Sequence, residues 1–160
     1  MIDTPEHYEA MEVKTFAQLQ RYWPVYLESL EKLNELTKTP VSEETYLKAA
    51  LNTMMGGRGV VPVVHRRGEG EIVACGIAMD TTNEYHEPSL LIYSVYAKAC
   101  APKVIISFFL PWIQEWAVAH GFKELHAWSP RINGAAYHLF EGVWGFERKA
   151  IFFTKPLCKT

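Results

Sequence analysis

The chain carries little excess charge of either sign. Its 160 residues include 16 Lys and Arg against 18 Asp and Glu, which gives a net charge of -2 and a pI near 6.3. A protein that binds nucleic acid or anionic lipid through its overall field needs a positive excess or a dense basic patch. The sequence shows neither, so we expect no nucleic-acid partner and no membrane-surface partner.

Cysteine is scarce, and the histidines are scattered. Cys75, Cys100 and Cys158 form no CxxC pair, and their odd number argues against a disulfide framework or a thiolate zinc site. The six histidines show no HxxH or HExxH spacing. We therefore expect no bound metal, and a reducing cytoplasm is the simplest location.

Long apolar runs are also missing. No stretch of 18 apolar residues occurs, and residues 1–12 are acidic and polar where a secretory signal has a basic start and an apolar run. The sequence therefore predicts a soluble, cytoplasmic protein without a membrane span.

Apolar and aromatic residues, by contrast, are plentiful, at 49% and 13% of the chain. A chain of this length buries roughly 70% of its unfolded surface in one core, so we expect a single domain over residues 1–160. The aromatic residues fit a dense core, or some of them face outward as a contact surface for a protein partner or for self-assembly. Sequence alone leaves both interpretations open.

Two helices are predicted in the first third of the chain. Thr15 is a suitable N-cap, and Pro24 predicts a kink in a helix that ends at the Thr-Pro pair of residues 39–40. Ser42, followed by two acids, predicts the start of a second helix, which the Gly-Gly pair at residues 56–57 stops. The apolar stripe of the first helix comprises Phe16, Leu19, Trp23, Tyr26, Leu30 and Leu33.

Apolar and β-branched runs predict the strands. Residues 60–66 and 71–79 flank a short glycine-containing connector and should pair as a hairpin. Residues 89–96 predict a third strand after a polar loop.

A helix with a wide apolar face should begin at Pro102, kink at Pro111 and end near Gly121. The remaining predicted elements are a strand over 125–128, a helix over 133–143 and a strand over 149–154. Because a single crossover helix joins strands that can lie parallel, this order predicts a mixed α/β sheet with helices on its faces.

The stretch from Val95 to Asn133 has the spacing of a known fold. A strand at Val95 leads into a loop and a helix, then Gly121, a strand and Asn133, and the pair at residues 145–146 closes the next helix. This pattern resembles the Gcn5-related N-acetyltransferase superfamily over residues 15–157. The resemblance implies a mostly antiparallel sheet whose central parallel pair splays apart, with helices on both faces and acetyl-CoA at the splay.

The phosphate-binding loop departs from that family's Arg/Gln-x-x-Gly-x-Gly/Ala pattern. Cys100 stands at the Arg/Gln position, and Lys103 and Ile105 stand at the two small positions. Pyrophosphate binding at a helix N-terminus needs free backbone N–H groups and a close approach of the backbone. Pro102 removes one donor and Ile105 takes up space, so we expect no bound cofactor. Lys103 offers a charge but no array of oriented amides.

If acetyl-CoA is bound after all, the resemblance places the acyl carbonyl beside the strand amides at Val95 and Ala97. It also implies Asn133 as a cofactor-binding residue, although Asn133 is equally suited to capping the last helix. Lys103 is a further cofactor-binding candidate because of its charge.

The catalytic groups implied by the resemblance are incomplete. The family's tyrosine acid corresponds to Phe140, which has no proton to give, and Tyr137 would replace it only if the helix is shifted. Glu87, just before the third strand, is the best carboxylate for deprotonating an amine. His126 and His138 are alternative bases if both face the cleft.

Two functions follow from this pattern. The first, which we expect, is a degenerate member of the fold that has lost the cofactor and acts as a structural or binding component. Its aromatic-rich tail over residues 149–157 looks similar to the ends of acetyltransferase-like virion and assembly proteins of short-tailed bacteriophages. The alternative is a divergent acyl-CoA-dependent N-acyltransferase that moves an acyl group to an amine in a ternary complex.

Overall fold

We describe the protein from a computed structural model covering residues 4–37, 40–82, 87–127 and 138–147, with the backbone alone at 138–140. The chain divides into a unit that ends at Pro130 and a second unit from Arg131 onward. A single domain over residues 1–160 stays a prediction.

Five strands lie side by side in chain order in one sheet. They are β1 (Tyr8–Glu12), β2 (Pro62–Arg66), β3 (Ile72–Asp80), β4 (Ser89–Ala97) and β5 (Glu124–Ala127). Neighbours from β1 to β4 are antiparallel, and β4 and β5 are parallel. The predicted mixed, mostly antiparallel sheet is confirmed.

The first strand was missing from the sequence-based order. β1 has the sequence Tyr-Glu-Ala-Met-Glu, which contains no β-branched residue and two acids. It forms an edge of the sheet by pairing with β2, with Tyr8 opposite Arg66 and Glu12 opposite Pro62. Tertiary pairing therefore makes a strand where local propensity is weak.

The first helix, α1, spans Phe16–Leu36. The Thr15 hydroxyl accepts from the Gln18 N–H at 3.2 Å, and the Gln18 side chain accepts from the Thr15 N–H at 3.3 Å, which forms a capping box. The helix continues through Pro24 as one element, and it ends before the Thr-Pro pair, of which Thr39 lies outside the described residues.

The second helix, α2, spans Glu43–Gly56. The Ser42 hydroxyl accepts from the Thr45 N–H at 3.1 Å, as the sequence predicts for an N-cap. Gly57 ends the helix in the left-handed region with φ of 70°, a conformation that favours glycine. Both predicted ends of this helix are confirmed.

The helices α1 and α2 cover one face of the sheet. Tyr26 and Tyr46 are fully buried there, and they belong to one apolar cluster with Cys75 and Ile77 of β3. Each large aromatic ring buries much apolar area and so contributes strongly to this core. Among the described aromatic side chains, Phe16 is the one left mostly exposed, at 63%.

The opposite face is covered by the helix that follows β4. It begins at Val104 with a π-helical segment, Ile105–Phe109, and continues as α3 (Leu110–Ala119). Phe109 is fully buried against β3, since a Cβ added to Gly76 would lie 3.2 Å from its ring. Helices on both faces are therefore confirmed.

The start of this helix differs from the prediction. Pro102 and Lys103 lie in a turn, and the regular α-helix begins only at Leu110, so Pro111 is in its first turn. Proline has no N–H to donate to the carbonyl four residues earlier. The backbone hydrogen bonds just before Pro111 can therefore adopt the i→i+5 spacing of a π-helix in place of the i→i+4 spacing of an α-helix.

In the second unit, the structure describes a π-helical segment over His138–Val143, followed by Gly145 with φ of 73°. The predicted helix over 133–143 is thus described only in its second half. The predicted strand over 149–154 lies outside the described residues.

Candidate functional site

The described pairing between β4 and β5 covers the first half of β4. Pairing with β5 runs from Ser89 opposite Glu124 to Ile92 opposite Ala127. Beyond Ile92, β4 continues to Ala97 while pairing with β3 on its other side. Among the residues that the structure describes, no strand borders this second half of β4 on the β5 side. We call residues 93–97 the open edge.

A β-bulge lies where the open edge begins. Ser94 pairs with Ile77 and Ile92 pairs with Ala78, so Tyr93 is an extra residue on β4 with no partner on β3. A bulge bends its strand and increases the local twist. The bulge therefore bends β4 at Tyr93, next to the last residue whose pairing with β5 is described.

Main-chain groups of the open edge point away from β3 at alternate residues. The Lys98 N–H donates to the Val73 carbonyl at 2.8 Å, which fixes the direction at that position. Since N–H and C=O groups alternate in direction along a strand, those of Val95 and Ala97 face the open side. These are the two residues at which the sequence predicts binding of the acyl carbonyl.

The loop after β4 folds back on itself. The Ala101 N–H donates to the Lys98 carbonyl at 3.0 Å, and the Val104 N–H donates to the Ala101 carbonyl at 3.2 Å. The Ala101 and Val104 side chains are fully buried, and Pro102 has no N–H. Three backbone positions of the expected phosphate loop therefore offer a ligand no free donor.

Cations surround this loop. Arg66 at the end of β2 donates to the Cys100 carbonyl at 2.9 Å, and Lys98 lies 3.7 Å from a Glu71 carboxylate oxygen. Lys103 is exposed, and it forms no ion pair among the described residues. Three cationic side chains therefore lie around this loop, and one of them, Lys98, is paired with Glu71.

A carboxylate of α1 reaches the open edge from the other side. The Tyr96 hydroxyl donates to a Glu28 carboxylate oxygen at 3.4 Å. Partial desolvation, and then the neighbouring Glu28 charge, raise the pKa of Tyr96, so its hydroxyl stays protonated at neutral pH. No short-range sequence pattern indicates this pair, because the two residues lie far apart in the chain.

A buried chain of hydroxyl groups anchors the bulge to both helices. The Tyr46 hydroxyl lies 3.0 Å from the Ser29 hydroxyl and 2.9 Å from that of Ser94, the residue next to Tyr93. Burial raises the pKa of Tyr46, so this group remains neutral. The chain holds α1, α2 and β4 in fixed positions at the bulge.

The predicted site residues are only partly brought together. Val95 and Ala97 lie on the open edge, and Lys103 lies on the following loop. Glu87 lies just before β4, at the end where β4 and β5 are paired, with its carboxylate 3.9 Å from Lys123.

Tyr137 and Asn133 lie outside the described residues, so their predicted roles stay predictions. Of the two alternative bases, only His126 has a described side chain, and its ring is 2.8 Å from a Glu124 carboxylate oxygen. The side chain of Phe140 is also outside the described part.

An open cavity of about 360 Å³ lies elsewhere in the first unit. Glu12 at the end of β1, Val60 ahead of β2 and Trp116 of α3 are among its walls. Within the described ranges, no three His, Cys, Asp or Glu side chains converge as a metal site requires. None of the described helices is long and apolar enough to cross a bilayer.

Comparison with solved structures relates this fold to acetyltransferases. A possible acetyltransferase from Clostridium difficile 630 matches with a TM-score of 0.70 and 14% identity, over 95% of this chain and 99% of that one. Aminoglycoside antibiotic 6'-N-acetyltransferase AAC(6')-Ih from Acinetobacter baumannii matches with a TM-score of 0.66 and 11% identity, over 94% and 99%. AAC(6')-Iy, solved with a bisubstrate analog CoA-S-monomethyl-acetylneamine, matches with a TM-score of 0.64 and 11% identity, over 95% and 99%.

At these identities the likeness establishes the fold alone. The fold expected from the spacing after Val95, that of the Gcn5-related N-acetyltransferases, is confirmed. No protein-family model and no curated protein sequence matches the chain. Nothing in the structure or in these comparisons supports the expected role in a bacteriophage particle.

Proposed function

We propose that the protein is an N-acyltransferase that moves an acyl group from a CoA-type thioester to an amine. The observation that carries this proposal is the open edge of β4, which begins at the Tyr93 bulge and presents main-chain groups of Val95 and Ala97 to one side. The acetyltransferase fold of the solved relatives supports it, and one of them was solved with a CoA-containing bisubstrate analog.

The open edge suits the arm of a pantetheine thioester. That arm contains two amides, and it can pair with the outward N–H and C=O groups of Val95 and Ala97 as an added strand would. An N–H beside the acyl carbonyl would also stabilise the negative charge that develops on its oxygen. When bound, the thioester supplies the acyl carbon and a thiolate leaving group.

Glu28 is the base that the described residues favour. An amine is protonated at neutral pH and must lose a proton before its nitrogen bonds to the acyl carbon. Glu28 lies on the open-edge side of α1, and its carboxylate can accept that proton while Tyr96 holds it by a hydrogen bond. Glu87, our sequence-based proposal, lies toward the paired end of β4 and carries Lys123 beside it.

Tyr137 and Asn133 complete the proposal from the sequence. As the C–S bond breaks, the thiolate must take up a proton, and Tyr137 is our proposed donor. Asn133 is proposed to bind the donor, with Lys103 as a charge for its phosphate end.

Calorimetric titration of the full chain with acetyl-CoA tests donor binding. We expect measurable heat and a raised melting temperature, because a ligand that binds only the folded state stabilises it by mass action. Release of CoA thiol on addition of a panel of primary amines tests transfer. No heat and an unchanged melting temperature at about 5 mM acetyl-CoA, well above ordinary dissociation constants, would reject the proposal.

A matched pair of variants locates the site. Val95→Pro and Val95→Ala both remove the valine side chain, but only Val95→Pro removes the outward N–H, and proline is tolerated at edge positions whose N–H is unpaired. We expect the proline variant alone to lose acetyl-CoA binding, with pairing to β3 checked by an unchanged far-ultraviolet spectrum. Equal binding by both variants would place the donor elsewhere.

A further inference from the structure

We propose that the open cavity beside Glu12 is a second binding site on this chain, and that its ligand is a small organic cation with an ammonium or guanidinium head and a short aliphatic stem. Glu12 of β1 lines the cavity together with Trp116 and His120 of α3. Among the described residues that line it, none belongs to the open edge, and neither Glu28 nor Tyr96 is present. The site therefore goes beyond the proposed acyl transfer.

The Glu12 carboxylate is held in place with one oxygen available. Its Oε1 accepts from the Trp116 indole N–H at 3.1 Å. The nearest described group to its Oε2 is the Lys14 ammonium at 3.8 Å, which is too long for a normal hydrogen bond. The side chain is only 31% exposed. A carboxylate oxygen that is fixed and partly desolvated is a strong acceptor for the N–H of a cation.

Lys14 indicates the chemistry that this oxygen attracts. Its ammonium group approaches the Glu12 carboxylate, but the lysine side chain is 72% exposed and does not reach bonding distance. An exposed ion pair of this length contributes little to stability, so Lys14 can turn into solvent at small cost. A ligand cation that fits closer to the carboxylate would therefore displace it.

The His120 ring adds a second acceptor. Its Nδ1 lies 2.7 Å from the Trp116 carbonyl oxygen. Because a carbonyl oxygen only accepts, Nδ1 carries the proton, and in the neutral ring Nε2 keeps its lone pair. The ring stacks on the Trp116 indole with centroids 3.8 Å apart and planes 16° apart. Trp116 thus positions both acceptors, Glu12 through its indole N–H and His120 through its carbonyl and ring.

Two helices end at this cavity. Met54 and Gly57 belong to the end of α2, and Trp116 and His120 belong to the end of α3. The C-terminus of a helix carries a partial negative charge, which a Lys or Arg in the last turn commonly offsets. Neither of these two last turns contains a basic residue. The helix ends therefore favour positive charge at the same place as the carboxylate.

The size and walls of the cavity suit an organic molecule. Its volume of about 360 Å³ accommodates several heavy atoms. Val13, Met54, Val60 and Val61 contribute apolar wall, against which a short aliphatic stem can pack. A metal ion fits less well, because within the described ranges no three His, Cys, Asp or Glu side chains converge.

Titration of the full chain with butylammonium, without an acyl donor, tests the inference. We expect saturable heat with a dissociation constant below about 10 mM. The indole N–H resonance of Trp116, identified by its absence from the spectrum of Trp116→Phe, should shift because the ligand binds the carboxylate that it contacts. 1-Butanol and butyrate have a similar stem without the positive charge, and each should bind at least about tenfold more weakly. No saturable binding of butylammonium up to about 10 mM, or binding of either other compound within about tenfold of it, would overturn the inference.

Matched carboxylate variants locate the bound amine. Glu12→Gln keeps an oxygen for the Trp116 N–H but removes the charge, and it should weaken butylammonium binding by about tenfold or more. Glu9→Gln removes the same charge from a more exposed position of β1 that does not line the cavity, so it should change binding by less than about twofold. Loss of binding in Glu28→Gln but not in Glu12→Gln would place the amine at the proposed acceptor position and reject the second site.

A pair of lysine variants tests the sign of the recognised charge. Lys14→Ala removes a competitor for the carboxylate and should tighten butylammonium binding by about two- to threefold. Lys123→Ala is the control, because Lys123 is 71% exposed and 3.9 Å from Glu87, and it should have no effect. Weaker binding in Lys14→Ala alone would mean that the lysine holds the ligand, which contradicts a cation site.

His120→Phe tests the second acceptor. The phenyl ring can keep the stack on Trp116, but it has no lone pair, so binding of butylammonium should weaken by about threefold or more. Thermal unfolding checks that the variant is folded. Unchanged affinity in the folded variant would leave Glu12 as a lone carboxylate and would contradict a site built from two acceptors.

Discussion

The Tyr26 hydroxyl donates to the Gly76 carbonyl the hydrogen bond that Pro62, which has no N–H, cannot donate. Val60 and Ala78 exchange both main-chain hydrogen bonds, at 2.8 and 2.9 Å, so two residues further along β2 the same kind of pair joins Pro62 and Gly76. Proline has no N–H for the Gly76 carbonyl. The buried Tyr26 hydroxyl lies 3.2 Å from that carbonyl oxygen and 2.9 Å from the Pro62 oxygen, and it shares its proton between them.

Tyr26→Phe should therefore destabilise the fold. Removing the hydroxyl leaves a buried carbonyl without a donor, which costs about 1–3 kcal/mol. Urea unfolding followed by tryptophan fluorescence measures the loss. Tyr22→Phe on the same helix is the matched control, because the hydroxyl of Tyr22 makes no hydrogen bond to any described residue, and it should change stability by less than about 0.5 kcal/mol.

A second substitution tests the link to Pro62. In the Tyr26→Phe background, Pro62→Ala supplies the missing N–H and should recover part of the lost stability. In the wild-type background the same change should gain less, because Tyr26 already serves the Gly76 carbonyl. Strict additivity of the two substitutions would show that the residues do not share this carbonyl.

Stability should fall at alkaline pH. Burial raises the pKa of Cys75, Tyr26 and Tyr46 above their ordinary values of 9.0 for Cys and 10.0 for Tyr. The unfolded chain therefore loses these protons at a lower pH than the folded chain. Stability is unaffected below about pH 8 and declines above about pH 9, by up to about 1.4 kcal/mol per pH unit for each group.

Cys75→Ala distinguishes the contribution of the Cys75 thiol to this decline from that of the two tyrosines. Without the thiol, the fall in the free energy of unfolding should begin nearer the ordinary tyrosine value of 10.0. Urea midpoints between pH 7 and pH 10.5 measure both curves. Curves with the same onset would mean that the thiol ionises as readily in the folded protein as in the unfolded one.

Much of the fold was predictable because local signals agreed with the tertiary structure. Thr15, Ser42 and Gly57 each combine the right residue type with the right place in an apolar pattern, and all three cap helices as predicted. β1 was missed because an edge strand needs few β-branched residues when its neighbour supplies the pairing. The π-helical turn before Pro111 was missed because periodicity alone does not distinguish it from an α-helical turn.

The site was less predictable than the fold. Val95 and Ala97 could be proposed from the sequence because the family spacing aligns the strand that bears them. Glu28 and Tyr96 were not found, since their contact joins α1 to β4 and has no short-range pattern in the sequence. The bulge at Tyr93 also gave no signal, because an extra residue in a strand is visible only in its pairing with the neighbouring strand.

Gly76→Ala should destabilise the protein through crowding between β3 and its neighbours. An added Cβ would lie 2.9 Å from the Ser94 carbonyl oxygen and 3.2 Å from the buried Phe109 ring, and neither has room to withdraw. Overpacking of this kind costs about 1–3 kcal/mol. Gly70→Ala, where an added Cβ meets nothing within 4 Å, is the control and should be neutral or slightly stabilising in thermal unfolding.

Glu28→Gln should slow acyl transfer to the amine by about 10²–10⁴-fold at neutral pH, because the amide cannot accept the ammonium proton. The remaining rate should rise steeply with pH, because a larger fraction of the amine is then already deprotonated and needs no base. Binding of the acyl donor should be unchanged. Tyr96→Phe removes only the hydrogen bond to the carboxylate and should lower the rate of acyl transfer by about tenfold or less.

Glu44→Gln, at an exposed α2 carboxylate paired with Lys48, is the control. If the pH profile of Glu28→Gln matches that of the control, Glu28 is not the base, and Glu87 becomes the next carboxylate to substitute.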